Sequence, residues 1–372
     1  MTEGARTSNG NRAFFLAAPG SGVTDLRHGC LSFDILAPMP LAGPSPYRPP
    51  WGFSNRHVLT IWPTLVRPRP RPALRRSEFT TDDGDFLELD WWMTATGSNR
   101  LAVLCHGLEG SSRAVYMLGM GRALVEAGWD VLLMNFRGCG GRPNRLWRSY
   151  HSGETGDLLQ VLRHCAADGR WNCLLPLGFS LGGSVVLNLM ARHDHELPSS
   201  VTGAVAISVP CDLAGCARQM ERRENWLYMQ RFVRRIQRKL REKTTRLDTG
   251  LDEATISRMR TFADIDGHYT APAHGFESAE DYWSRASCLP DLEQIRRSTL
   301  LISALDDPFL TPECYPRKSA ASSDCFWLDT PPAGGHLGFV GRWQGTHYWH
   351  EIRACEFAHS LIETGSGPAG NR

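Results

Sequence analysis

The sequence predicts a mostly parallel α/β sheet with helices on both faces, and three observations support this fold class. From residue 101 onward, short apolar runs alternate with segments of helical pattern, as in proteins whose parallel strands are joined by crossover helices. One apolar run, 174–177, continues through Gly178-Phe179-Ser180-Leu181-Gly182 directly into a helical pattern. Before the alternating part, Asp82-Asp83-Gly84 is typical of a hairpin turn and predicts two antiparallel edge strands over 77–80 and 86–92.

The remaining elements follow in chain order. The apolar runs predict strands over 101–105, 130–135, 174–177, 204–209, 299–304 and 325–328. The helical patterns predict helices over 114–127, 155–167, 181–190 and 349–362.

The stretch 210–297 interrupts this alternation and is too long for a simple crossover. It contains a helical apolar face, Met229, Phe232, Val233, Ile236 and Leu240. We therefore expect an inserted helical lid. The predicted organisation is a loosely ordered extension over 1–50, a core over 51–209, the lid over 210–297, the rest of the core over 298–363 and a flexible tail over 364–372.

The other face of the lid helix is strongly basic. Residues 218–246 contain eleven Lys and Arg against three Glu. One interpretation is a solvated helix face, since long cationic side chains commonly lie along apolar neighbours. The other is a lid that leans on an anionic membrane surface or guides an anionic substrate. The sequence leaves both open.

Composition limits the function classes. The 372 residues are 42% hydrophobic and 22% charged, with a formal net charge of +2, which offers no electrostatic case for nucleic-acid binding. Eleven scattered cysteines without metal-type pairs indicate a reducing compartment. No apolar run approaches the length of a membrane span, and no secretory signal pattern opens the chain. A cytoplasmic protein is expected.

The turn around Ser180 predicts a catalytic nucleophile. A serine between a strand and a helix, flanked by glycines, is held in a strained and exposed conformation. A serine hydroxyl needs a histidine to take its proton and a carboxylate to orient that histidine, in the chain order Ser, acid, His. The alternative is that Gly178 and Gly182 only permit tight helix packing and that Ser180 caps the helix.

The chain supplies both partners in that order. Asp306 and Asp307 follow the strand over 299–304, and Asp307 is preferred because it precedes the Pro308 turn. His336 follows the last strand as the base. Backbone N–H groups of Leu181 and of Leu108, in the glycine-containing loop after the strand over 101–105, are expected to bind the oxyanion. Alternatively, this loop only caps the next helix.

Other histidine pairs, His193 with His195 and His347 with His350, lack a third ligand nearby, so no metal site is predicted.

The chain resembles the YheT type of α/β-hydrolases, also called the AB hydrolase 4 family. The motifs that carry this resemblance are Gly52-Phe53-Ser54-Asn55-Arg56-His57, His106-Gly107-Leu108-Glu109-Gly110, Asn135-Phe136-Arg137-Gly138-Cys139, Tyr150-His151-Ser152-Gly153-Glu154-Thr155, Gly178-Phe179-Ser180-Leu181-Gly182-Gly183, Asp306-Asp307-Pro308-Phe309 and Gly335-His336-Leu337-Gly338-Phe339. The resemblance implies an α/β-hydrolase fold and an esterase or lipase-like activity with a relay of Ser180, Asp307 and His336. Residues near the expected site are candidates to line or brace the pocket, namely His106, Gly107, Arg137, His151 and Glu154.

The function predicted is hydrolysis of carboxylic esters through an acyl-enzyme on Ser180, without a cofactor. Two alternatives stay open: transfer of the acyl group to an alcohol, and non-catalytic binding of a lipid or other ligand on a hydrolase scaffold. The expected partners are a small-molecule or lipid ester and no nucleic acid, with peripheral membrane contact through the basic lid helix. The sequence does not predict an oligomeric state.

Overall fold

A twisted sheet of eight strands forms the centre of the part of the chain that the structure describes. This computed structural model describes residues 45–341 and 346–365, all within the compact unit 35–372. The strands are β1 (Arg75–Thr80), β2 (Phe86–Trp92), β3 (Arg100–Cys105), β4 (Asp130–Asn135), β5 (Cys173–Phe179), β6 (Gly203–Ile207), β7 (Ser298–Ile302) and β8 (Phe326–Asp329). Each predicted strand is present, with ends within two residues of the prediction.

The strand order is β1-β2-β4-β3-β5-β6-β7-β8. β1 pairs antiparallel with β2, and β2 pairs antiparallel with β4. All the other neighbouring strands pair in parallel. The hairpin turn has Gly84 at a φ of 80°, in the left-handed region that favours glycine. The predicted fold class, a mostly parallel α/β sheet with antiparallel edge strands, is confirmed.

Twelve α-helices accompany the sheet in the described residues. They are α1 (Arg56–Val66), α2 (Val115–Glu126), α3 (Gly156–Ala167), α4 (Leu181–Arg192), α5 (Leu213–Met220), α6 (Trp226–Thr244), α7 (Glu253–Arg258), α8 (Phe262–Ile265), α9 (Ala271–His274), α10 (Ala279–Ala286), α11 (Arg317–Ala321) and α12 (Trp349–Gly365). A π-helical turn, Asp266–Thr270, joins α8 to α9. Short 3₁₀ helices are Asp194–Glu196, Arg223–Asn225, Leu289–Gln294 and Pro312–Cys314.

Both faces of the sheet are buried, because successive side chains of a strand point to opposite sides. In β3, Leu101 and Val103 pack in the hydrophobic cluster that contains residues of α3 and α4. Ala102 and Leu104 pack in the cluster that contains residues of α2 and α12. Because both faces of the central strands are buried, apolar residues are favoured at every position, which explains their continuous apolar runs. Burial of each leucine side chain contributes about 1.5–3 kcal/mol.

α1 has no counterpart among the predicted elements. Pro63 lies inside this helix, and an interior proline argues against a helix because it lacks a backbone N–H. The helix begins because the Asn55 side chain accepts hydrogen bonds from the N–H groups of His57 (2.8 Å) and Val58 (3.2 Å).

Six helices, α5 to α10, lie between β6 and β7, where the sequence predicts the lid. The predicted apolar face of α6 is present: Met229, Val233, Ile236 and Leu240 are buried in one cluster with residues of the neighbouring helices. Amphipathic packing of this kind stabilises a helix more than intrinsic propensity does.

The predicted N-terminal extension lies outside the described residues except for 45–50. Within that part, Tyr47 is buried, and its hydroxyl donates to the carbonyl oxygen of Val340 at 2.9 Å. The packed chain therefore begins before the predicted boundary at residue 51. Of the predicted tail over 364–372, the described part is the end of α12, and 366–372 lie outside the described residues.

No helix in residues 45–341 and 346–365 combines the length and the apolar character that crossing a bilayer requires.

Candidate active site

The candidate site lies at the carboxyl edge of the parallel strands. Because β3, β5, β6, β7 and β8 run in the same direction, the loops after them emerge at one edge of the sheet. This is where open α/β sheets bind ligands. Ser180 follows β5, Asp307 follows β7, and His336 follows β8.

Ser180 occupies a strained turn between β5 and α4. Its φ is 53° and its ψ is −121°, a conformation that residues with a Cβ rarely adopt. The Ser180 N–H donates to the carbonyl oxygen of Ile207 at 2.8 Å, which ties the turn to β6. A Cβ on Gly182 would lie 2.5 Å from the carbonyl oxygens of Cys105 and His106, so glycine is required there. The turn therefore has the strand–serine–helix geometry of a nucleophile elbow.

His336 is held by a carboxylate. Its Nδ1 lies 2.9 Å from Oδ2 of Asp307, and Asp307 is only 3% exposed. The other carboxylate oxygen accepts from the backbone N–H of Phe309 at 2.9 Å, and the Phe309 ring packs on the imidazole with centroids 4.3 Å apart. A hydroxyl on α1, that of Thr60, accepts from the His336 backbone N–H at 2.9 Å. The ring is thus fixed with Nε2 left for the substrate side.

Asp306 has a different task from Asp307. Its Oδ1 accepts from the backbone N–H of Gly335 at 2.8 Å, so it holds the loop that carries His336. Burial, together with the charge of Asp307, raises the pKa of the Asp306 carboxyl. The geometry favours Asp307 as the partner of His336, as the sequence predicts.

Both predicted oxyanion residues line the cavity that contains Ser180 and His336. Leu181 is the first residue of α4, where backbone N–H groups have no intrahelical acceptor. Leu108 lies in the loop after β3. That loop approaches the elbow closely, since a Cβ on Gly107 would lie 3.1 Å from the Cβ of Ser180.

His106 contacts the backbone of this loop and does not line the cavity. Its Nδ1 lies 2.7 Å from the carbonyl oxygen of Gly107, and its Nε2 accepts from the backbone N–H of Phe136 at 3.1 Å. Burial lowers the pKa of His106 to about 3, so the ring is neutral and Nδ1 carries the proton. A buried histidine with both nitrogens occupied positions backbone rather than transferring protons.

Arg137 and Glu154 are also braces. The Arg137 guanidinium is buried and pairs with both carboxylate oxygens of Asp157, at 2.7 and 2.5 Å, and with Asp83 at 2.7 Å. Glu154 pairs with Arg148 at 2.5 Å, and burial raises its pKa. Neither residue lines the cavity beside Ser180.

His151 does line that cavity. It packs edge-to-face against His274 and Tyr282, with ring centroids 4.7 and 5.5 Å apart. Burial, and secondarily the proximity of His274 and Arg148, lowers the pKa of His151 to about 3. It therefore contributes a neutral aromatic wall.

A polar clasp, Glu109 with Tyr150, Arg235 and Lys239, joins the loop of Leu108 to the lid. Lys239 on α6 donates to Oε1 of Glu109 at 2.7 Å, and Tyr150 donates to the same oxygen at 3.0 Å. Arg235 donates to the Glu109 carbonyl oxygen at 2.7 Å. The backbone of Glu109 itself lies in the left-handed region, with a φ of 55°. This clasp was not predicted from the sequence, in which its only signal is the acid after Leu108 together with the basic face of α6.

Replacing Lys239 with Met is expected to lower kcat for a soluble ester about tenfold. The buried Glu109 carboxylate would keep its hydrogen bond from Tyr150 but lose its cation, which costs about 1–3 kcal/mol, and we expect the Leu108 loop to shift in response. Steady-state hydrolysis measures the change. Arg241→Met is the matched control, because Arg241 on the same helix pairs only with residues at the surface, including Glu253 at 2.8 Å. Equal kcat values for the two variants would contradict a positioning role of the clasp.

The cavity itself encloses about 160 Å³ and extends from Ser180 under α6. Its lining is mostly apolar and comes largely from the lid, including Met220, Phe232, Ile236, Leu240, Phe262 and Ile265. Charged groups in the lining are Glu109, Lys239, Lys243 and Asp266, and the Asp266 carboxylate accepts from Trp283 at 2.8 Å. Burial raises the pKa of Asp266 to about 6. The shape suits a ligand with an apolar chain and one reactive polar group.

Comparison with known proteins agrees with the fold. A family model described as the alpha/beta hydrolase fold matches residues 102–341. YheT of Escherichia coli (strain K12), which is named as a candidate esterase, is 34% identical over 328 residues, covering 85% of this chain and 93% of the relative. Human phospholipase ABHD3 is 25% identical over 326 residues, covering 82% of this chain and 79% of the relative.

Among solved structures, the Pyrococcus furiosus esterase Pf2001 is similar with a TM-score of 0.54 and 17% identity, over 80% of this chain and 97% of the other. At that identity the likeness shows the fold alone. The family model and the relative at 34% identity go further. The chain belongs to the α/β-hydrolase family, in its YheT-like branch.

Proposed function

We propose that the protein is a serine hydrolase of carboxylic esters that works through an acyl-enzyme on Ser180. The observation that carries this proposal is the hydrogen bond of 2.9 Å between His336 and Asp307 beside a cavity that Ser180 also lines, in a strained turn. Ser180 and His336 both line this cavity and Asp307 holds His336, which supports assigning them the roles that nucleophilic catalysis requires.

In the proposed first step, the Ser180 hydroxyl oxygen bonds to the ester carbonyl carbon while its proton passes to Nε2 of His336. Asp307 stabilises the resulting imidazolium through Nδ1–H. The negative charge that develops on the carbonyl oxygen is met by the N–H groups of Leu108 and Leu181. The bond to the leaving alkoxide then breaks as His336 returns its proton to that oxygen. Water repeats the sequence and releases the acid.

The substrate we propose is an ester with an apolar acyl group. Lid side chains make the cavity wall beyond Ser180 apolar, so the acyl chain gains free energy as it leaves water. The names of the relatives, a candidate esterase and a phospholipase, support an ester substrate of this kind.

Labelling with a fluorophosphonate probe tests the activated serine. We expect one covalent adduct, seen by intact mass, on the wild type and none on Ser180→Ala, because only a serine oxygen that loses its proton displaces fluoride efficiently. Ser184→Ala is the matched control, since Ser184 is a buried serine one turn further along α4 and should not affect labelling. A folded wild type without an adduct would overturn the proposal and favour a non-catalytic binding protein.

A further inference from the structure

The apolar stripe of α1 faces outward rather than into the core. Val58, Ile61, Trp62, Leu65 and Val66 are spaced as one helix face and are all exposed, Leu65 by 74%. The buried residues of α1 are Leu59 and Pro63 on the other side. A surface helix of a folded domain normally has the opposite arrangement, so this face is built to be covered by something other than the described chain.

Neighbouring residues extend the stripe into a continuous surface. Trp51 is 100% exposed just before α1, and Trp226 and Leu227 are exposed in the first turn of α6. The two helices adjoin: Nδ1 of His57 lies 3.2 Å from the Tyr228 hydroxyl. We call this surface the α1 patch: Trp51, Val58, Ile61, Trp62, Leu65, Val66, Trp226 and Leu227. It contains eight of the nine large hydrophobic side chains that are exposed within the described residues.

The charge around the α1 patch is one-sided. Residues 45–77 include seven arginines and no Asp or Glu. Three of these arginines have acidic partners: Arg67 pairs with the buried Glu351, Arg76 with the buried Asp90, and Arg56 with the partly exposed Glu224. The other four, Arg48, Arg69, Arg71 and Arg75, are exposed and lie within about ten residues of α1 along the chain, so the charge next to the apolar stripe is mainly positive.

A lipid surface with anionic headgroups complements both properties. Interfacial helices insert Trp and Leu at the boundary of the acyl chains while arginines contact the headgroups. A second copy of the chain fits less well, because joining two α1 patches face to face would bring two sets of arginines together.

The basic face of α6 is less suited to that contact, although the sequence points there first. Lys239 pairs with Glu109, and Lys243 donates to the carbonyl oxygens of Leu146 and Trp147 at 2.7 and 2.8 Å. Arg241 pairs with Glu253. Lys239 and Lys243 thus hold the lid to the rest of the protein, whereas the pair of Arg241 with Glu253 lies within the lid.

We infer that the protein binds anionic lipid surfaces peripherally through the α1 patch. This deepens the proposed function and rests on it, because the ester substrate is then one presented at such a surface. α1 also adjoins the site, since the Thr60 hydroxyl accepts a hydrogen bond from the backbone N–H of His336. Tyr228, next to Leu227, packs on Phe309 with centroids 4.8 Å apart, and Phe309 packs on His336. A lipid leaving the surface would therefore enter beside the catalytic histidine.

Vesicle co-sedimentation of the full chain tests the inference. We expect wild type to bind vesicles of phosphatidylcholine with phosphatidylserine better than vesicles of phosphatidylcholine alone, and salt to weaken the binding. Leu65→Glu should lower the binding about tenfold or more, because it places a charge in the apolar contact. Ala167→Glu is the matched control, since it adds the same charge at an exposed end of α3 and should bind as wild type does.

Three readouts decide the outcome. Equal binding by Leu65→Glu and wild type, or no binding of either vesicle by wild type, would overturn the inference. Light scattering that shows a wild-type dimer and a Leu65→Glu monomer would also overturn the inference, since the α1 patch would then join two copies of the chain. Vesicle binding by Ser180→Ala at the wild-type level, with unchanged hydrolysis of a soluble short-chain ester by Leu65→Glu, would support it. Because binding is measured without turnover, it can fail or succeed independently of the esterase proposal.

Discussion

Ser180→Ala and His336→Ala are each expected to lower kcat for a soluble chromogenic ester by about 10⁴-fold to 10⁶-fold. Without the serine no acyl-enzyme forms, and without the histidine the hydroxyl keeps its proton. Because the two groups act as one unit, the double variant should be scarcely slower than either single variant. Steady-state and single-turnover hydrolysis measure these losses.

The adjacent aspartates provide a matched comparison. Asp307→Asn should lower kcat by about 10⁴-fold, because the histidine loses the partner that fixes its tautomer. Asp306→Asn should cost much less, since an amide oxygen still accepts from the N–H of Gly335. A larger loss of kcat in Asp306→Asn than in Asp307→Asn would argue against the triad as assigned. So would losses of kcat that add in the double variant of Ser180 and His336.

The largest expected effect on stability is at a buried ion pair far from the triad. Glu351 of α12 is fully buried and receives two hydrogen bonds from Arg67, just after α1, at 2.6 and 2.7 Å. Glu351→Gln leaves the Arg67 charge buried without its partner, which costs about 3–5 kcal/mol of unfolding free energy. Urea denaturation measures the change. Glu253→Gln is the control, because its pair with Arg241 is exposed and is expected to contribute less than about 1 kcal/mol.

The same pair gives the stability a definite pH dependence. Burial alone would raise the pKa of Glu351, but the side-chain interaction with His347 and the charge and hydrogen bonds of Arg67 outweigh it and lower the pKa from 4.5 to about 2. A carboxyl with a lowered pKa in the folded state stabilises the protein above its unfolded pKa. That contribution, on the order of 3 kcal/mol, is fully present above about pH 4.5 and is lost as the pH falls toward 2. Glu351→Gln should remove this slope; parallel pH profiles of wild type and variant would contradict the assignment.

Much of the fold was predictable because local patterns and global packing agree. The central strands are buried on both faces, so each appears in the sequence as an apolar run long enough to predict a strand, as in 130–135. The elbow was predictable for the same reason, since a Cβ on Gly178 would clash with the carbonyl oxygen of Gly182, four residues further along the chain. α1 was not, because Pro63 and an outward apolar stripe both contradict the usual helix pattern.

The candidate site likewise contains residues that the sequence predicts and residues that it does not. The residue types and their chain order pointed to Ser180, Asp307 and His336, because that chemistry requires a nucleophile, an acid and a base in a known succession. The clasp between Glu109 and Lys239 was not predictable, since its partners are 130 residues apart and an acid–base pair has no sequence period.

The sequence by itself determined the alternation of strands and helices, the strained turn at Ser180 and the two residues expected to act with it. Those features depend on neighbours within a few residues or on the chemistry of single side chains. Only the tertiary structure decided that His106 and Arg137 brace the site and do not line the cavity, and that the apolar face of α1 points outward. A side chain's burial and partners depend on segments that are distant in the chain and meet only when the sheet forms.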